Sequence, residues 1–518
     1  MPTYQSPGVY VEEVAAGARP LAGVGTAIAA FVGLTESGPF NKPTLVSNWT
    51  QFTGTFGGFV AGSYLAQSVY GYFMNGGGNC YVVRIGQDPG ASGSAPRVSH
   101  PKELTAAPTA QIGRLKATAL DPAAKAGDVS VQITDPGGES PSADMFKVLV
   151  KRSGEVIEEF DSATLAKGKQ NVVTMVNATS KLIALEEVSS GAVERLPNAE
   201  IALAAPPAPA ALPSPRLSAD DYVGDVAERS GFAALEAVEE VTMLCVPDLM
   251  SAYQQGAIDL DTVQAVQTAM IAHCELMGDR IAILDPPPGF NAQQIKEWRV
   301  DKARYDSMYA TLYWPWIQTM NPATGRLSFI PPSGHVAGIW GRNDDTRGVH
   351  KAPANEVIRG VVDIEINITR NEHDLLNPEG INCIRAFPGR GIRVWGARTL
   401  SSDPAWRYLN VRRLFNYLEE TILSGTNWVV FEPNDEALWA KIRRTISAFL
   451  VQEWRSGALF GSTPDEAFYV KCDSETNPSE GIDAGQVVCE IGVAPVKPAE
   501  FVIFRLAQFS GGTSLVSE

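Results

Sequence analysis

The chain begins with a short hydrophobic stretch that has no strand partner close behind it. In "MPTYQSPGVYVEEV", Val9, Tyr10 and Val11 have the β-branched and aromatic character of a strand, and a Pro-Gly pair stands before them. The residues that follow, "AAGARPLAG", are small or broken by proline. We therefore predict that residues 1–22 are an arm and linker whose strand pairs elsewhere.

Two separated segments share a pattern in which buried strands alternate with helices or turns. Residues 23–86 contain the strand-like runs "TAIAAFVGLT" and "CYVVRIG". Residues 231–376 couple helices of 3.6-residue periodicity to apolar strands such as "RIAILD" and "ATLYWPWIQTM". Helices that alternate with buried strands predict an α/β sheet domain built from both segments.

Between these segments the composition changes abruptly. Residues 87–230 are rich in Pro, Ala, Gly and Ser and carry short alternating runs such as "DVSVQITD", which are typical of hairpins. The stretch "APPAPAALPSPR" is typical of a linker at the exit of a domain. We predict a mostly β domain inserted into an exposed loop of the α/β domain.

The last section, residues 377–518, predicts an α+β domain with two amphipathic helices. The first is expected to begin after Asp403 and to end before Gly425. The second is expected to run from Asn434 to Gly457. Its apolar face comprises Leu438, Ile442, Ile446, Phe449 and Leu450.

A basic stripe lies opposite that apolar face. At 100° per residue, Lys441, Arg444 and Arg455 fall on the far side of the second helix. Residues 377–460 carry 11 Lys and Arg against 8 Asp and Glu, whereas the whole chain carries 42 against 58 and a net charge of −16. This asymmetry favours an acidic partner for the stripe, with a plain solvated helix face as the alternative.

The chain closes on a strand that needs cover on both faces. Its apolar positions alternate between the two faces, as in an interior sheet strand. They are Phe501, Val502, Ile503, Phe504 and Leu506. The linker "APVKPAE" contains two prolines, which disfavour a tight hairpin back onto the preceding strand. We predict a C-terminal exchange arm over about residues 494–518.

Two strands without partners, one near each end, point to a polymer. Each can complete a sheet in an adjoining copy, because main-chain hydrogen bonds attach a strand of any sequence and alternate side chains set its register. The linkers, at ~3.3–3.6 Å per residue, would reach roughly 20–30 Å. The predicted fold is a multidomain α/β and α+β protein whose C-terminal domain is completed by strands exchanged between subunits.

The composition of the chain limits which classes of partner it can bind. The net charge of −16 repels phosphate, which disfavours nucleic acids and anionic membrane surfaces. The start lacks the basic segment of a signal peptide, and the longest apolar stretch is too short and too rich in glycine to span a bilayer. We expect a soluble protein made in the cytosol, with its six cysteines reduced. A disulfide between Cys472 and Cys489 is left open.

Motifs that mark catalysis or cofactor binding are missing from the sequence. The phosphate-loop, zinc-protease, serine-hydrolase and dinucleotide signatures do not occur, and the five histidines lack ligand spacing. His273, within an apolar helix, is expected to be a core residue. The segment at 344–351, predicted to be a loop, is the one place where an α/β hydrolase site could be argued. Its charged groups are Asp344, Asp345, Arg347, His350 and Lys351. We predict a protein without enzymatic activity and without a cofactor.

The sequence resembles a known family, the contractile tail sheath proteins of myophage tails and of contractile injection systems. The matching segments fall within 1–86 and 231–518 and leave 87–230 as a decoration. They include "SPGVYVEEV", "GFAALEAVEEVTMLCVPDL", "RIAILDPPPG", "PPSGHVAGIWGRNDDTRGVHKAPAN" and "GINCIRAFPGRGIRVWGARTL". The decorated size and the N-terminal segment are most similar to the sheaths of extracellular injection systems.

The resemblance implies a structural subunit that stacks as hexameric rings around an inner tube. A baseplate triggers the stack to shorten and drive the tube through a target envelope. The resemblance also implies terminal cap proteins as partners, and assembly in the bacterial cytoplasm as part of a phage tail-like particle that can be released from the cell. A static strand-exchanged polymer, such as a shell, is the main alternative.

The resemblance also assigns roles to residues of this chain. In the family the N-terminal and C-terminal arms join sheets of neighbouring subunits, which corresponds here to residues 3–14 and 500–508. The domain that holds the C-terminal helices lies nearest the tube. Lys441, Arg444 and Arg455 are therefore candidates for contact with an acidic surface of the tube.

Overall fold

The protein was analysed as a computed structural model. It describes residues 21–86, 109–112, 115–119, 129–136, 145–152, 155–165, 170–180, 182–187, 198–203, 218–322 and 324–505. The chain divides into two compact units, of which the smaller is Ser92–Pro215 and the larger is the rest of the chain. The predicted strand at Val9, Tyr10 and Val11 lies outside the described residues, as does Leu506.

The elements are numbered here in chain order. The strands are β1 (Ala29–Gly33), β2 (Thr44–Val46), β3 (Cys80–Arg84), β4 (Thr109–Ile112), β5 (Leu115–Ala119), β6 (Val129–Thr134), β7 (Phe146–Arg152), β8 (Glu155–Ala163), β9 (Ile183–Glu187), β10 (Ala199–Ala202), β11 (Met243–Cys245), β12 (Ile281–Leu284), β13 (Ala310–Trp314), β14 (Ile317–Met320), β15 (Leu327–Ile330), β16 (Glu356–Val357), β17 (Val361–Ile364), β18 (Ile381–Phe387), β19 (Gly391–Val394), β20 (Phe468–Lys471) and β21 (Glu490–Val493). The α-helices are α1 (Trp49–Phe56), α2 (Leu65–Met74), α3 (Val172–Thr179), α4 (Ala219–Val223), α5 (Asp248–Gln254), α6 (Leu260–Met277), α7 (Ala292–Glu297), α8 (Ser333–Arg347), α9 (Arg370–Leu376), α10 (Leu409–Gly425), α11 (Glu436–Arg455), α12 (Pro464–Ala467) and α13 (Ser479–Asp483).

A large sheet organises the described part of the larger unit. Its strand order is β16-β19-β18-β13-β12-β11-β1-β3-β2. The strands from β18 to β3 run parallel, whereas β2, β19 and β16 pair antiparallel at the edges. Ala282 and Leu284 of β12 belong to one core with α5, α6 and α7, and Ile281 and Ile283 belong to another with α1, α2 and α8. Because helices cover both faces, the central strands are continuous apolar runs. The mixed α/β architecture predicted from the sequence is confirmed.

The large sheet continues beyond the domain boundary that the sequence predicts at residue 377. β18 pairs in parallel with β13, and β19 turns back antiparallel to β18. Ile381 and Cys383 contribute to one core of the sheet and Ile384 to the other. Since these side chains need cover on both faces of β18, the α/β domain extends to about residue 400. The predicted boundary is corrected accordingly.

The smaller unit is mostly β. Its described residues form two antiparallel sheets, β10-β6-β7-β8 and β4-β5-β9, with α3 beside them. Val131, Phe146 and Val150 lie in its core. The predicted insertion ends too late, however, because α4 belongs to the larger unit. Tyr222 of α4 is fully buried in the core of that unit, where its hydroxyl donates to the carbonyl of Asp248 (3.2 Å).

The C-terminal section packs α10 and α11 around a separate core. Asp435 caps α11 by accepting the main-chain N–H of Leu438 (2.8 Å), close to the predicted start. All residues of the predicted apolar face of α11 are buried. α10 begins later than predicted, because the Asp403 carboxylate accepts the N–H of Ala405 in a turn and Tyr408 forms a β-bridge with Arg398.

Candidate assembly site

The C-terminal segment leaves the body of the protein at Glu500. Its carboxylate accepts hydrogen bonds from the Arg398 guanidinium, with N–O distances of 2.9 and 2.6 Å, and from Asn377 and Tyr408. Burial raises the pKa of Glu500, but these donors outweigh burial and hold the pKa below its usual range. Glu500 is therefore a charged anchor at neutral pH.

Beyond this anchor the described chain is apolar and exposed. Phe501, Val502, Ile503 and Phe504 expose 72, 67, 79 and 86% of their surface, and no described strand pairs with them. Leaving such side chains in water forgoes ~1.5–3 kcal/mol each relative to full burial. Four of the predicted arm residues thus lie together on an exposed apolar segment that burial would stabilise.

The linker before the anchor is held in place, although the sequence predicts a free one. The main-chain N–H of Ala494 donates to Ala467 (2.8 Å), and that of Val496 donates to Ala458 (3.3 Å). These bonds attach the linker to the C-terminal section. The free arm therefore starts after Glu500 rather than at residue 494, which corrects the prediction and shortens the reach of the arm.

The sheet β20–β21 has only two strands among the described residues. Phe468 and Val470 pack against the core of α10 and α11, whereas Tyr469 is 60% exposed. Isolated two-stranded sheets are marginal in water, and unpaired edges are templates for further strands. Among the described residues, no further strand pairs with the outer edges of β20 and β21. Cys472 and Cys489, for which the sequence left a disulfide open, are free thiols.

The N-terminal segment leaves from the same C-terminal section. Leu21 is 8% exposed and belongs to the core of that section. Its side chain covers Gly425 at the end of α10 so closely that a methyl group there would clash. The N–H of Val24 donates to the Thr421 hydroxyl (3.3 Å). The start of the described chain is therefore fixed on α10.

The predicted basic stripe lies on α11. Arg444 and Arg455 are exposed, and neither forms an ion pair with another described residue. Lys441 is half-buried, because its ammonium group lies 4.0 Å from the centroid of the Trp428 ring. Arg443 faces inward and donates to the carbonyl of Cys472. Two of the three predicted side chains are thus exposed and Lys441 is partly engaged.

The charged segment at 344–351 links structural elements. α8 continues through Asp344 and Asp345, so these residues lie on a helix and the predicted loop is wrong there. The Asp344 carboxylate accepts two hydrogen bonds from Arg413 of α10, at 2.9 and 2.6 Å, and one from the Thr26 hydroxyl at 2.7 Å. Both charged side chains are 4% exposed. The pair joins α8 to α10, and its geometry presents no carboxylate to a substrate.

The other groups of that segment, and the histidine of α6, have structural surroundings. Lys351 pairs with Glu356 (3.0 Å). Burial and the nearby Arg347 lower the pKa of His350. His273 is buried edge-to-face against Phe232, as predicted for a core residue. In the described ranges, no cluster of three or more His, Cys, Asp and Glu side chains could hold a metal ion. No described helix is both long and apolar enough to cross a bilayer.

Two aspartates stand just beyond the carboxyl ends of β11 and β12, where an α/β enzyme would carry its site. Asp248 accepts the N–H of Leu65 (3.0 Å) at the start of α2. Asp285 accepts the N–H (3.0 Å) and the hydroxyl (2.6 Å) of Ser333 at the start of α8. Burial raises the pKa of Asp248 to about 6 and that of Asp285 to about 7. Both carboxylates are at most 3% exposed and serve as helix caps.

Sequence patterns did not single out two of the arginines that organise this site. Arg398 and Arg413 meet partners that are 102 and 69 positions away in the chain, so no local spacing marks the pairs. The available signal was weak: Arg413 lies directly beside the apolar Leu414 in a segment predicted to be an amphipathic helix.

Comparison with known proteins identifies the class. The chain matches the phage tail sheath protein central domain over residues 218–400 and the phage tail sheath C-terminal domain over residues 401–509. The chain therefore belongs to the contractile tail sheath proteins, as the sequence predicted. The division near residue 400 coincides with the end of the large sheet described above.

Individual relatives agree with this assignment. The chain is 23% identical to the tail sheath protein of Burkholderia phage BcepMu, over 96% of this chain and 95% of that protein. It is 27% identical to the tail sheath protein of Vibrio phage KVP40 over 44% of this chain, and 26% identical to that of Salmonella phage ViI over 49%. These matches span only 35% and 39% of the two longer relatives.

Solved structures share the fold. The chain is similar to a chain of the anti-feeding prophage baseplate, with a TM-score of 0.58, 23% identity and coverage of 98% of this chain and 100% of that one. It is also similar to the sheath of an extracellular contractile injection system, PVC, in the contracted state, with a TM-score of 0.56, 22% identity and coverage of 98% and 99%. The protein is a structural sheath protein of the phage-tail or injection-system type.

Proposed function

We propose that the protein polymerises as stacked hexameric rings around an inner tube and contracts to drive that tube through a target envelope. Two incomplete features of the described chain support the proposal. One is the two-stranded sheet β20–β21, and the other is the exposed apolar segment Phe501–Phe504. Each supplies what the other lacks when it meets its counterpart in a neighbouring copy.

Strand addition is strong enough to hold subunits together through a large movement. Six to eight main-chain hydrogen bonds at a net ~1 kcal/mol each, with buried Val, Phe and Ile side chains at ~1.5–3 kcal/mol each, amount to roughly 10 kcal/mol before association costs. In the proposed polymer, residues 3–14 and 500–508 join the sheets of neighbours. The bodies then pivot where the chain leaves them, at Leu21 and Glu500, while the arms stay docked.

The proposed partners follow from the same arrangement. The inner tube protein would contact Lys441, Arg444 and Arg455 through an acidic surface, and baseplate and terminal cap proteins would close the two ends of the sheath. The similar solved chains come from a baseplate and from a contracted sheath, which supports self-assembly and association with a baseplate. The net charge of −16 disfavours nucleic acid and anionic membranes as partners. Assembly would take place in the bacterial cytoplasm, within a particle that can be released.

Electron microscopy tests the proposed function. Purified protein mixed with its inner tube protein is expected to form tubes of two kinds, one long and narrow and one short and wide, because contraction shortens and widens the helix. Triggering should convert the first kind into the second. A single fixed lattice under all conditions would contradict contraction and support the static polymer.

Charge reversal on α11 tests the tube contact. The variant Arg444→Glu/Arg455→Glu is expected to weaken tube-templated assembly about tenfold or more, because two exposed cations would then repel an acidic tube. Spontaneous sheath polymers, which need no tube, should form as before. The templated assembly is measured by sedimentation with and without tube protein. Adding Lys441→Glu should enlarge the effect only modestly, since Lys441 is held by Trp428.

The exposed Arg359 offers a matched control, because it lies on the α/β domain away from α11. Arg359→Glu is expected to leave templated assembly unchanged. If the α11 variant behaves like this control, the stripe is a plain solvated face.

A further inference from the structure

A cleft of about 1010 Å³ opens where the C-terminal segment leaves the body. Its lining holds six basic side chains and only two acidic ones, Asp374 and Glu500, in a chain whose net charge is −16. The basic side chains are Arg347, Lys351, Arg370, Arg385, Arg398 and Lys497. Such a concentration of one sign in a concave surface attracts a ligand of the opposite sign.

Most of this positive charge is not neutralised by the described chain. Arg398 pairs with Glu500 and Lys351 with Glu356. The other four cations of the lining have no carboxylate partner among the described residues. Of these, Arg385 buries its Nε atom without any hydrogen-bond acceptor in that part of the chain. Buried donors without partners are costly, so this lining favours an occupant that supplies acceptors, such as an anion.

The histidines of the lining do not add to this charge. Burial lowers the pKa of His350 and of His373, and neighbouring arginines lower both further. Both rings are therefore neutral at pH 7. The field of the cleft comes from its guanidinium and ammonium groups.

The position of the cleft indicates which part of a neighbour can reach it. Val496 and Gly457 line the cleft, and Val496 follows the last residue of β21, Val493, by three positions. Three extended residues span about 10 Å. A foreign strand docked on an edge of β20–β21 would therefore bring the residues next to it close to the basic lining.

Only one of the two terminal segments has acidic residues beside its strand. In the N-terminal segment, Glu12 and Glu13 directly follow the strand that the sequence predicts at Val9–Val11. In residues 501–518 the single acid is Glu518, at the far end, and Arg505 lies within the strand. Charge complementarity therefore favours the N-terminal segment and disfavours the C-terminal one.

We propose that this cleft receives Glu12 and Glu13 of the N-terminal segment of an adjoining copy. The inference rests on the strand exchange proposed above and adds a recognition site to it. Main-chain hydrogen bonds alone let a short strand slip along a sheet edge, and a slip of one residue turns every side chain to the other face. Two carboxylates held by arginine and lysine at a fixed offset from the strand lock its register.

Zero-length carbodiimide cross-linking of the assembled polymer tests the site. The reagent joins a carboxylate to a lysine amine that touches it: the amide forms and the carbodiimide leaves as a urea. The polymer is grown from equal amounts of ¹⁵N-labelled and unlabelled chains. Mass spectrometry should then find residues 12–13 joined to Lys497 in mixed-isotope pairs. Lys351 and Glu356, which touch within one chain, give the unmixed internal control.

The possible results separate the two proposals. If tubes form but residues 12–13 are joined to other lysines, to their own chain or to nothing, the cleft assignment is overturned and strand exchange stands. If the unmodified chain forms no tubes, the proposed function falls, and the cleft assignment falls with it. If Lys497 is joined to a different acidic segment of a neighbour, the cleft is an interface with another occupant and the proposal is overturned.

A charge swap gives an independent readout. Arg370→Glu should raise the protein concentration needed for assembly about tenfold, since one ion pair becomes a repulsion. Combining it with Glu13→Arg should restore assembly to near the wild-type concentration. Arg359→Glu, outside the cleft, serves as the control, and thermal unfolding verifies that each variant is folded. A double variant that assembles no better than Arg370→Glu alone would show that the two side chains do not pair.

Discussion

A chain that ends at Glu500 is expected to be folded and soluble but unable to form tubes. The removed residues 501–518 begin with side chains that are mostly exposed in the single subunit, so their loss should change the free energy of unfolding by less than ~0.5 kcal/mol. The proposed polymer would lose far more, because each subunit interface would give up the hydrogen bonds and burial of one docked strand. We expect no tubes even at a hundredfold higher protein concentration, as measured by sedimentation and negative-stain microscopy.

Two further truncations serve as comparisons for this result. A chain that ends at Ser510 keeps the arm residues 500–508 and should assemble normally. A chain that ends at Pro498 also removes the carboxylate of Glu500 and leaves the Arg398 guanidinium without its partner. It should therefore lose ~1–3 kcal/mol of stability as well as assembly. Removal of residues 1–14 should also abolish tubes, because in the proposed polymer these residues supply the other docked strand. Normal tubes from the chain that ends at Glu500 would contradict the C-terminal arm.

Replacement of Asp344 by alanine is expected to destabilise the larger unit by ~3–5 kcal/mol, because it leaves the Arg413 guanidinium buried without a counter-charge. The Asp344 and Arg413 side chains are each 4% exposed, and the Asp344 carboxylate also accepts a hydrogen bond from the Thr26 hydroxyl. All ten tryptophans lie outside residues 92–215. Tryptophan fluorescence during denaturant unfolding therefore reports the larger unit alone.

The neighbouring Asp345 is a matched control. It is exposed on the same helix, and Asp345→Ala should change stability by less than ~0.5 kcal/mol. The double variant Asp344→Ala/Arg413→Met should recover part of the loss, since no charge then remains buried. An Asp344→Ala variant as stable as Asp345→Ala would show that the ion pair does not hold α8 to α10.

Local sequence patterns predicted the elements that depend only on residues close together in the chain. The apolar face of α11 follows from its 3.6-residue period, and the α/β architecture follows from apolar strands that alternate with helices. The start of α10 was predicted too early, because Asp403 and the proline after it look like a helix start but form a turn. The polar segment at Asp344 favours a loop in the sequence, whereas it forms the last turn of a helix whose first nine residues, Ser333–Gly341, are all buried.

Contacts between distant residues were beyond such patterns. The linker before Glu500 has the composition of a free tether, yet main-chain hydrogen bonds and the Arg398 guanidinium hold it. Nothing in the spacing of Arg398 and Glu500 indicates that they meet. The same applies to the cleft, whose basic lining is assembled from α8, α9, β18 and the linker and is dispersed in the sequence.

The sequence by itself indicated the class of the protein, determined the alternation that builds the large sheet, and predicted two apolar end strands without local partners, of which Val9–Val11 lies outside the described residues. The class follows from the resemblance of several segments to the sheath family, whereas the alternation and the predicted end strands follow from periodicity and composition, which each segment carries alone. Only the tertiary structure decided that β18 and β19 belong to the large sheet. It also decided that the described chain is anchored at Leu21 and Glu500, and which arginines are buried and which are exposed. These depend on the distances between side chains far apart in the sequence, which exist only once the chain is folded.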